Sequence, residues 1–412
     1  MGDSVLISFC NVSAPHLPLL GLFEPQSPRL SAVRLPPEAS RFKGMTGIAR
    51  NERYLYAVAQ LRPPEGERFT SRSALLTFDV LTLDLISTYE LSIAADAHSL
   101  AWSQGKMYVA SSATDQIIEL EMKGAEVVSE RPYLQSAHGQ LSDINHINGL
   151  CDSPDGLIMS AFGQRTDPSW ASATNGFLMN VMKRERLRTG LQHPHTPFIL
   201  DGSIVFCESR KTSVETVAGD RRQVLPGYTR GVCRLKDDLL VATSVGRKTS
   251  RSTGRVVENP GVVGVVAGGC TINRLKTTDF SLVSTFEAPG EVSEIYDLLA
   301  VDETGRWPVE TDWVRESNLA YFAVYQGETP RLVQDPTIGS AVLLLSNEVD
   351  ANRLLQILKT GEIRKFEGKQ AVFDTLTQLP APASHLAMDV RFDERGGFFP
   401  TRFVPLEQFR RG

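Results

Sequence analysis

Apolar and polar positions alternate through most of the chain up to about residue 300, in a pattern that repeats five times. Each copy has a polar residue before a small or apolar triplet, a short polar turn (NER, SQGK, SPDG, DGS, KDD) and an alternating apolar strand, which predicts a hairpin. The copies are GMTGIARNERYLYAVAQ from Gly44, DAHSLAWSQGKMYVASS from Asp96, HINGLCDSPDGLIMSAF from His146, HPHTPFILDGSIVFCES from His193 and YTRGVCRLKDDLLVATS from Tyr228.

Further strand-like runs follow each hairpin. SALLTFDVL, DQIIELEM and GFLMNVMK are typical third strands, and STYELS and VVSERPY are typical fourth strands. Four antiparallel strands repeated along a chain indicate the blades of a β-propeller.

The sixth unit is incomplete where it stands in the chain. SEIYDLLAV from Ser293 predicts one inner strand, whereas SVLISFC, LPLLGLF and RLSAVRL near the N-terminus predict three strands without an inner strand. Pairing the two parts closes a ring and removes the exposed edges of an open array. The sequence therefore predicts an all-β fold, a six-bladed β-propeller spanning residues 4–301 and closed by its N-terminal strands.

Residues 302–412 do not continue the repeat. They contain the strand-like runs NLAYFAVYQ and SAVLLLS and one predicted helix, NEVDANRLLQILKTG, which ends at Gly361. We expect a C-terminal α/β extension. This segment could cap the propeller, pack against its side or assemble a homo-oligomer, and the sequence does not choose among these roles.

One polar residue opens each predicted inner strand, and these residues converge on one mouth of the ring. The equivalent positions are Thr46, His98, Asn148, His195, Arg230 and Glu294. Residues two positions earlier share a strand face with them, namely Asp96, His146, His193 and Tyr228. Four of the seven histidines lie at this mouth, His16 and His138 fall in loops on the same face, and His385 lies outside the propeller.

Clustered imidazoles with a carboxylate favour a divalent transition metal such as Zn, Mn or Fe, with open positions for water or substrate. The predicted ligands are His98, His146, His195 and Glu294. The candidate catalytic residues are His193 as acid or base, Glu294, Arg230 and Tyr228. Two alternatives stay open: metal-free acid–base chemistry by the same histidines, and polar contacts that only join the blades and bridge waters.

Arginines concentrate in the connections that face this mouth. An excess of guanidinium groups there predicts an anionic ligand, such as a carboxylate, sulfate or phosphate. The predicted substrate-binding residues are Arg230, Asn148, Arg165, Arg210, Arg247 and Thr46. A solvated basic rim is the alternative. GRKTSRSTGRVVENPG from Gly246 could also form a lid, and Trp170 and Tyr228 could stack on a ligand ring.

Composition narrows the class of protein further. The chain has 43 Lys and Arg against 48 Asp and Glu, so bulk charge gives no reason to expect nucleic acid as a partner. The five scattered cysteines predict reduced thiols. No signal-peptide pattern or long apolar run is present, so we expect a cytoplasmic protein without a membrane partner. Phosphate-binding glycine motifs, GxSxG and HExxH are also absent, which argues against nucleotide cofactors and common hydrolases.

The motifs MTGIA, HSLAW, HINGL, HPHTPFI, LPGYTRGV and EVSEIYDLLAV occur in an order and spacing that resembles an uncharacterised bacterial family of propeller-like conserved hypothetical proteins. The resemblance covers about residues 4–301 and implies the propeller fold without an activity. HTPFI departs from the family's PHSPRW pattern at Thr196 and Phe198. NGL at Asn148 is also distantly similar to the inner-strand motif of gluconolactonase and strictosidine synthase propellers, some of which bind a divalent cation.

Together these features predict an enzyme that holds an anionic small molecule in the propeller funnel and performs metal-assisted lyase, hydrolase or isomerase chemistry. The alternative is a non-catalytic propeller that binds a ligand or a partner protein. Fold alone does not decide between the two.

Overall fold

The computed structural model of the chain describes the following residues: 4–12, 17–64, 70–135, 141–168, 170–244, 270–289, 292, 294–301, 307–310, 320–326, 329–330, 332–335, 339–345, 354, 358, 361–367, 372, 374–376, 385–392 and 398–405. The chain divides into two compact units, Met1–Trp313 and Val314–Gly412.

The first unit, as far as it is described, consists of six antiparallel sheets. The N-terminal strands are β1 (Ser4–Phe9), β2 (Leu20–Glu24) and β3 (Arg29–Val33). Blade 1 follows with β4 (Phe42–Arg50), β5 (Tyr54–Leu61), β6 (Ser73–Asp79) and β7 (Leu85–Glu90), and blade 2 with β8 (Ala97–Ser103), β9 (Lys106–Ser111), β10 (Gln116–Lys123) and β11 (Glu126–Leu134).

The next blades repeat this plan. Blade 3 has β12 (Ile147–Cys151), β13 (Ile158–Ala161), β14 (Gly176–Asn180) and β15 (Glu185–Leu191), and blade 4 has β16 (Pro194–Leu200), β17 (Ser203–Glu208), β18 (Ser213–Thr216) and β19 (Arg222–Val224). Blade 5 has β20 (Tyr228–Leu235), β21 (Asp238–Ser244), β22 (Thr271–Lys276) and β23 (Leu282–Glu287). Short 3-10 helices cover Pro37–Arg41, Ser112–Thr114, Trp170–Ser172 and Ser209–Lys211.

Blade 6 joins the two ends of the unit. β24 (Ile295–Val301) pairs antiparallel with β1, and β25 (Val309–Glu310) adds to β3, which gives the order β24-β1-β2-β3-β25. The inner strands contact one another in sequence from β4 to β24, and β24 contacts β4 again. These sheets confirm the prediction of an all-β propeller closed by its N-terminal strands.

Apolar side chains fill each junction between neighbouring blades. One strand supplies two junctions, because Leu6 of β1 packs in the cluster shared with blade 1 while Val5 and Ile7 pack in the cluster shared with blade 5. Comparable clusters join blades 1 and 2, 2 and 3, 3 and 4, and 4 and 5. Successive side chains of a strand point to opposite faces, and both faces are buried. Each strand therefore contributes apolar side chains to the junctions on both sides of its blade, which stabilises the ring.

The second unit contains two sheets in its described part. One has the order β27 (Thr329–Pro330), β26 (Ala320–Gln326), β30 (Glu362–Glu367). The other has the order β28 (Leu332–Asp335), β29 (Gly339–Leu344), β31 (His385–Phe392), β32 (Phe398–Pro405), in which β29 and β31 run parallel. Within the predicted helix, Leu354 and Leu358 are helical and Gly361 lies outside it, and the other residues lie outside the described set.

No helix in the described parts of the chain is long and apolar enough to span a membrane.

Candidate functional site at the mouth of the ring

A bulge interrupts every inner strand near its start. The pairing with the second strand shifts around Thr46, His98, Asn148, Thr196, Gly231 and Tyr296. A bulge releases a residue from the ladder and redirects its side chain. The six shifts lie at the same end of the ring, so they shape its mouth.

The bulges correct the sixth predicted equivalent position. Tyr296, Asp297 and Leu298 of β24 match His98, Ser99 and Leu100 of β8, because the shift between β1 and β24 spans Tyr296. Glu294 therefore corresponds to the residues two positions earlier, such as Asp96 and His146. The triplet Tyr296, Asp297 and Leu298 could have marked the equivalent position in the sequence. However, no hairpin follows β24, so the alignment with the other blades was not fixed.

Glu294 and Arg230 form an ion pair rather than separate functional groups. Nη1 of Arg230 lies 3.3 Å from Oε2 of Glu294, and the two side chains are 10% and 2% exposed. The thiol of Cys10 and the amide of Asn11 also donate to that carboxylate oxygen, over 3.0 and 3.1 Å. The guanidinium lies 5.0 Å from the ring centres of both Tyr228 and Tyr296.

Two further mouth residues are adjacent histidines in contrasting surroundings. The rings of His98 and His146 meet edge to face with centroids 5.0 Å apart. Nε2 of His98 lies 3.4 Å from Oδ2 of Asp96, and Nδ1 of His146 lies 3.1 and 3.2 Å from the two oxygens of Asp143.

Their pKa values shift in opposite directions. Burial lowers the pKa of His98 more than the nearby Asp96 carboxylate raises it. Burial also lowers the pKa of His146, but the Asp143 carboxylate, helped by Asp96 and Asp115, outweighs it, so the pKa is raised. At neutral pH His98 is therefore a neutral imidazole, and His146 holds a proton more readily.

His193 positions Tyr228. Its Nε2 lies 2.7 Å from the carbonyl oxygen of Trp170, which can only accept, so Nε2 carries the hydrogen. Burial lowers the pKa of His193 to about 3, so its Nδ1 is unprotonated and accepts from the Tyr228 hydroxyl over 3.0 Å. Both ring nitrogens are thus engaged, which differs from the acid or base role predicted for His193.

The tautomer of His195 follows from its neighbours in the same way. Ser209 donates its hydroxyl hydrogen to the carbonyl oxygen of Thr229, so Nδ1 of His195 donates to Ser209 Oγ, 2.7 Å away, and to His193 O, 3.1 Å away. Burial, together with the positive charge of Arg230, lowers the pKa of His195 well below its ordinary value. His195 is therefore neutral with its lone pair on Nε2.

The turn at Trp170 links these imidazoles to two arginines. Its ring contacts His146 with centroids 4.6 Å apart, and the guanidinium of Arg165 lies 4.6 Å above it. Arg210, 8% exposed, donates to the carbonyl oxygen of Ala171. No carboxylate in the described residues pairs with Arg210, and burial lowers the pKa of its guanidinium.

Thr46 and Asn148 mainly join strands. Thr46 is 1% exposed and donates to the carbonyl oxygen of Ala97 in blade 2, over 2.9 Å. Asn148 is 2% exposed, accepts from Ser160 over 2.8 Å and donates to the carbonyl oxygen of His146. These contacts use the polar groups that were predicted to bind substrate.

The predicted metal ligands do not fit one metal ion as they are placed. Across the described ranges, no three His, Cys, Asp or Glu side chains are arranged to hold a metal. The reason is local: His98 faces Asp96, His146 faces Asp143, His195 faces Ser209, and Glu294 binds Arg230. The presence of a bound metal stays a prediction.

Some predicted residues lie outside the described set. They include Arg247 and the rest of the segment from Gly246, as well as His16 and His138. Besides Tyr296, two further described residues were missed by sequence reasoning. Phe162 stacks on His193 with centroids 4.1 Å apart and also contacts His195, and Asp143 fixes His146. Phe162 follows a hairpin strand directly, which was its available signal.

The fold and the mouth define a β-propeller whose inner strands present histidine, tyrosine and arginine around one polar opening. The chain belongs to the family described as a domain of unknown function (DUF4915), whose model matches residues 40–308. That match runs from the approach to β4 to just beyond β24. None of the curated proteins compared with the chain matches it.

Similar solved structures include a protein of unknown function from Bacteroides caccae, with 8% identity, 73% of this chain and 99% of that chain covered, and a TM-score of 0.47. A structure of a nidogen/laminin complex has 12% identity, coverage of 72% and 97%, and a TM-score of 0.46. A luciferin-regenerating enzyme has 11% identity, coverage of 71% and 87%, and a TM-score of 0.46. The propeller fold of this chain is established by the order and pairing of its own antiparallel sheets.

Proposed function

We propose that the mouth of the ring binds a small organic anion and transfers protons on it, with His98 as the base and His146 as the acid. Arg210 holds the anionic group in this proposal. No step passes through a metal. The reaction classes it serves are the isomerase and lyase reactions that need a paired acid and base.

One cluster supports the proposal. The imidazoles of His98 and His146 touch, and their surroundings shift their pKa values in opposite directions. The turn at Trp170 and Ala171 connects His146 to the buried guanidinium of Arg210. Neighbouring titratable groups whose surroundings separate their pKa values are suited to acid and base roles. A proton on His146 also favours the neutral form of His98, since like charges repel.

Arg210 supports the anionic part of the ligand. A guanidinium that is buried without an opposite charge is costly, and an anionic ligand relieves that cost. Arg230 was predicted for this role, but its pairing with Glu294 already balances its charge. Arg210 therefore replaces Arg230 as the anion-binding residue.

Backbone conformation at the mouth gives further support. Asp96, His146 and His193 precede their inner strands at equivalent positions and have φ values of 48°, 53° and 53°. Residues other than glycine seldom adopt this left-handed conformation, and it is concentrated at functional sites. Three blades repeat the conformation at chemically active residues.

The test is binding of simple carboxylates, such as acetate and propionate, and of inorganic phosphate to wild type and to Arg210→Met. We expect thermal stabilisation by at least one anion in wild type and about a tenfold loss of affinity in the variant. Arg188→Met is the matched control, because Arg188 pairs with Glu215 away from the mouth. Equal anion binding by Arg210→Met and wild type would exclude Arg210 as the anion site.

Binding without turnover of any bound compound would favour the non-catalytic alternative. Elemental mass spectrometry on the untagged protein, beside a His98/His195 double alanine variant, tests the metal prediction separately. A transition metal near one equivalent that is lost in the folded variant would support metal chemistry.

A further inference from the structure

Tyr296 carries a buried hydroxyl without a hydrogen-bond partner among the described residues. The residue is 7% exposed, and its ring meets that of His98 edge to face with centroids 5.7 Å apart. An unsatisfied buried hydroxyl costs free energy, so its presence at the mouth needs an explanation.

His98 has the complementary unsatisfied atom. Its Nδ1 is also buried without a partner in the described set. Nε2 faces the Asp96 carboxylate, which can only accept, so Nε2 carries the hydrogen and Nδ1 of the neutral ring is an acceptor. Burial raises the pKa of Tyr296 well above its ordinary value, so the tyrosine keeps its hydrogen and is a donor.

The ring geometry explains why these two residues meet. They occupy the bulges of blades 2 and 6, which flank blade 1. The equivalent residue of blade 1 is the small Thr46, whose hydroxyl turns away to Ala97 of blade 2. A donor and an acceptor without partners in the described residues thus lie at bulges on either side of a short side chain.

We propose that Tyr296 and His98 together bind a hydroxyl group of the ligand, which makes the ligand a hydroxylated organic anion such as a hydroxy acid. The ligand hydroxyl donates to Nδ1 of His98 and accepts from the Tyr296 hydroxyl. The inference rests on the proposed function for the anionic end of the ligand. In the proton transfer proposed above, the O–H bond of this hydroxyl breaks, the proton moves to Nδ1, and the electron pair stays on the ligand oxygen beside Tyr296.

Tyr296→Phe tests the proposal, since it removes the hydroxyl and keeps the ring against Arg230. The first readout is the melting temperature without ligand. Removal of an unsatisfied hydroxyl should leave the melting temperature unchanged or raise it. The control is Tyr56→Phe, because the buried Tyr56 hydroxyl accepts from Asn51 over 3.0 Å, and its loss should lower the melting temperature.

The second readout compares glycerate with propionate, which differ in their hydroxyl groups, and with uncharged glycerol. We expect wild type and Tyr56→Phe to bind glycerate about tenfold more tightly than propionate, and Tyr296→Phe to lose that preference. Glycerate, but not propionate, should also shift the nitrogen resonance of His98 Nδ1.

Two results would overturn the assignment: a melting temperature for Tyr296→Phe lowered as much as that of Tyr56→Phe, or a glycerate preference that survives the substitution. Failure of every anion to bind wild type would instead refute the proposed function, and the melting temperature would still decide whether the Tyr296 hydroxyl is unsatisfied.

Discussion

Single residues at the mouth acquire their properties from one or two neighbours each. His98 and His146 have the same side chain and touch, yet Asp143 approaches one imidazole through both oxygens while Asp96 approaches the other at 3.4 Å. In addition, the charge of Arg230 disfavours protonation of His98. The difference between an acid and a base here is therefore a difference in local charge.

That difference predicts the titration of the two histidines in the wild-type protein. By NMR of protein labelled with nitrogen-15 in its histidines, His146 should titrate above its ordinary pKa of 6.5 and His98 below it. Asp143→Asn should lower the pKa of His146, because the Asp143 carboxylate is the largest influence that raises it and its negative charge is gone. The pKa of His98 should then rise, since it depends on the charge of His146.

Asp155→Asn is the control for that experiment. Asp155 belongs to the same blade but has a side chain that is 74% exposed, so neither histidine should respond. Coincident titration of His98 and His146 in wild type would contradict the assignment of acid and base.

Sequence patterns predict where the histidines of the mouth lie more readily than they predict the role of each histidine. The repeat placed His98, His146, His193 and His195 at one mouth because each opens a recognisable hairpin. The partners Asp143 and Trp170 lie in connections without a repeated pattern, so their contacts depend on the tertiary fold. The ion pair of Glu294 with Arg230 joins parts of the chain 64 residues apart, and no local pattern encodes it.

At the scale of the strands, glycines alternate with polar residues at or directly after the bulge positions. Gly47, Gly149 and Gly231 alternate with Ser99, Thr196 and Asp297 around the ring. A side chain at Gly47 would lie 2.5 Å from Cα of Ser99. The polar members tie the next blade, since Ser99 accepts from the backbone N–H of Leu150 and Asp297 from that of Ile48, over 3.1 and 3.2 Å.

Gly47→Ala should therefore destabilise the propeller by about 1–3 kcal/mol, because the added methyl group forces the inner strands of blades 1 and 2 apart. Urea unfolding measures the change. Gly202→Ala is the control, since its Cβ would meet nothing within 4 Å and only its φ of 79° opposes a side chain. A loss for Gly47→Ala no larger than for Gly202→Ala would show that the close approach is not limiting.

The alternation also explains the misplaced sixth position. The inner strands of blades 1, 3 and 5 have a glycine at or next to the bulge, whereas blade 6 has Asp297 at the equivalent position. Its pairing partner β1 lies at the other end of the unit, so neither the glycine nor the hairpin signal was available for Tyr296.

At the scale of the whole molecule, the ring depends on the pairing of β1 with β24, where Ser4 lies opposite Val301. Contacts between such distant positions carry a large entropic cost, and they form only when the rest of the ring supports them. Leu6 and Ile7 alternate between the clusters toward blade 1 and blade 5, and both are fully buried. One strand thus stabilises two junctions.

Leu6→Ala and Ile7→Ala should each lower the free energy of unfolding by about 2–5 kcal/mol through lost burial and a new cavity. Because a closed ring has no free blade, the fluorescence of the four tryptophans, one of which is Trp102 in blade 2, and far-UV circular dichroism should lose signal at the same lowered urea concentration. Val283→Ala, at a side chain that is 46% exposed on the outermost strand of blade 5, should change little. A fluorescence transition that stays at its wild-type position in Leu6→Ala would mean that blades unfold separately, and that closure by β1 does not couple the ring.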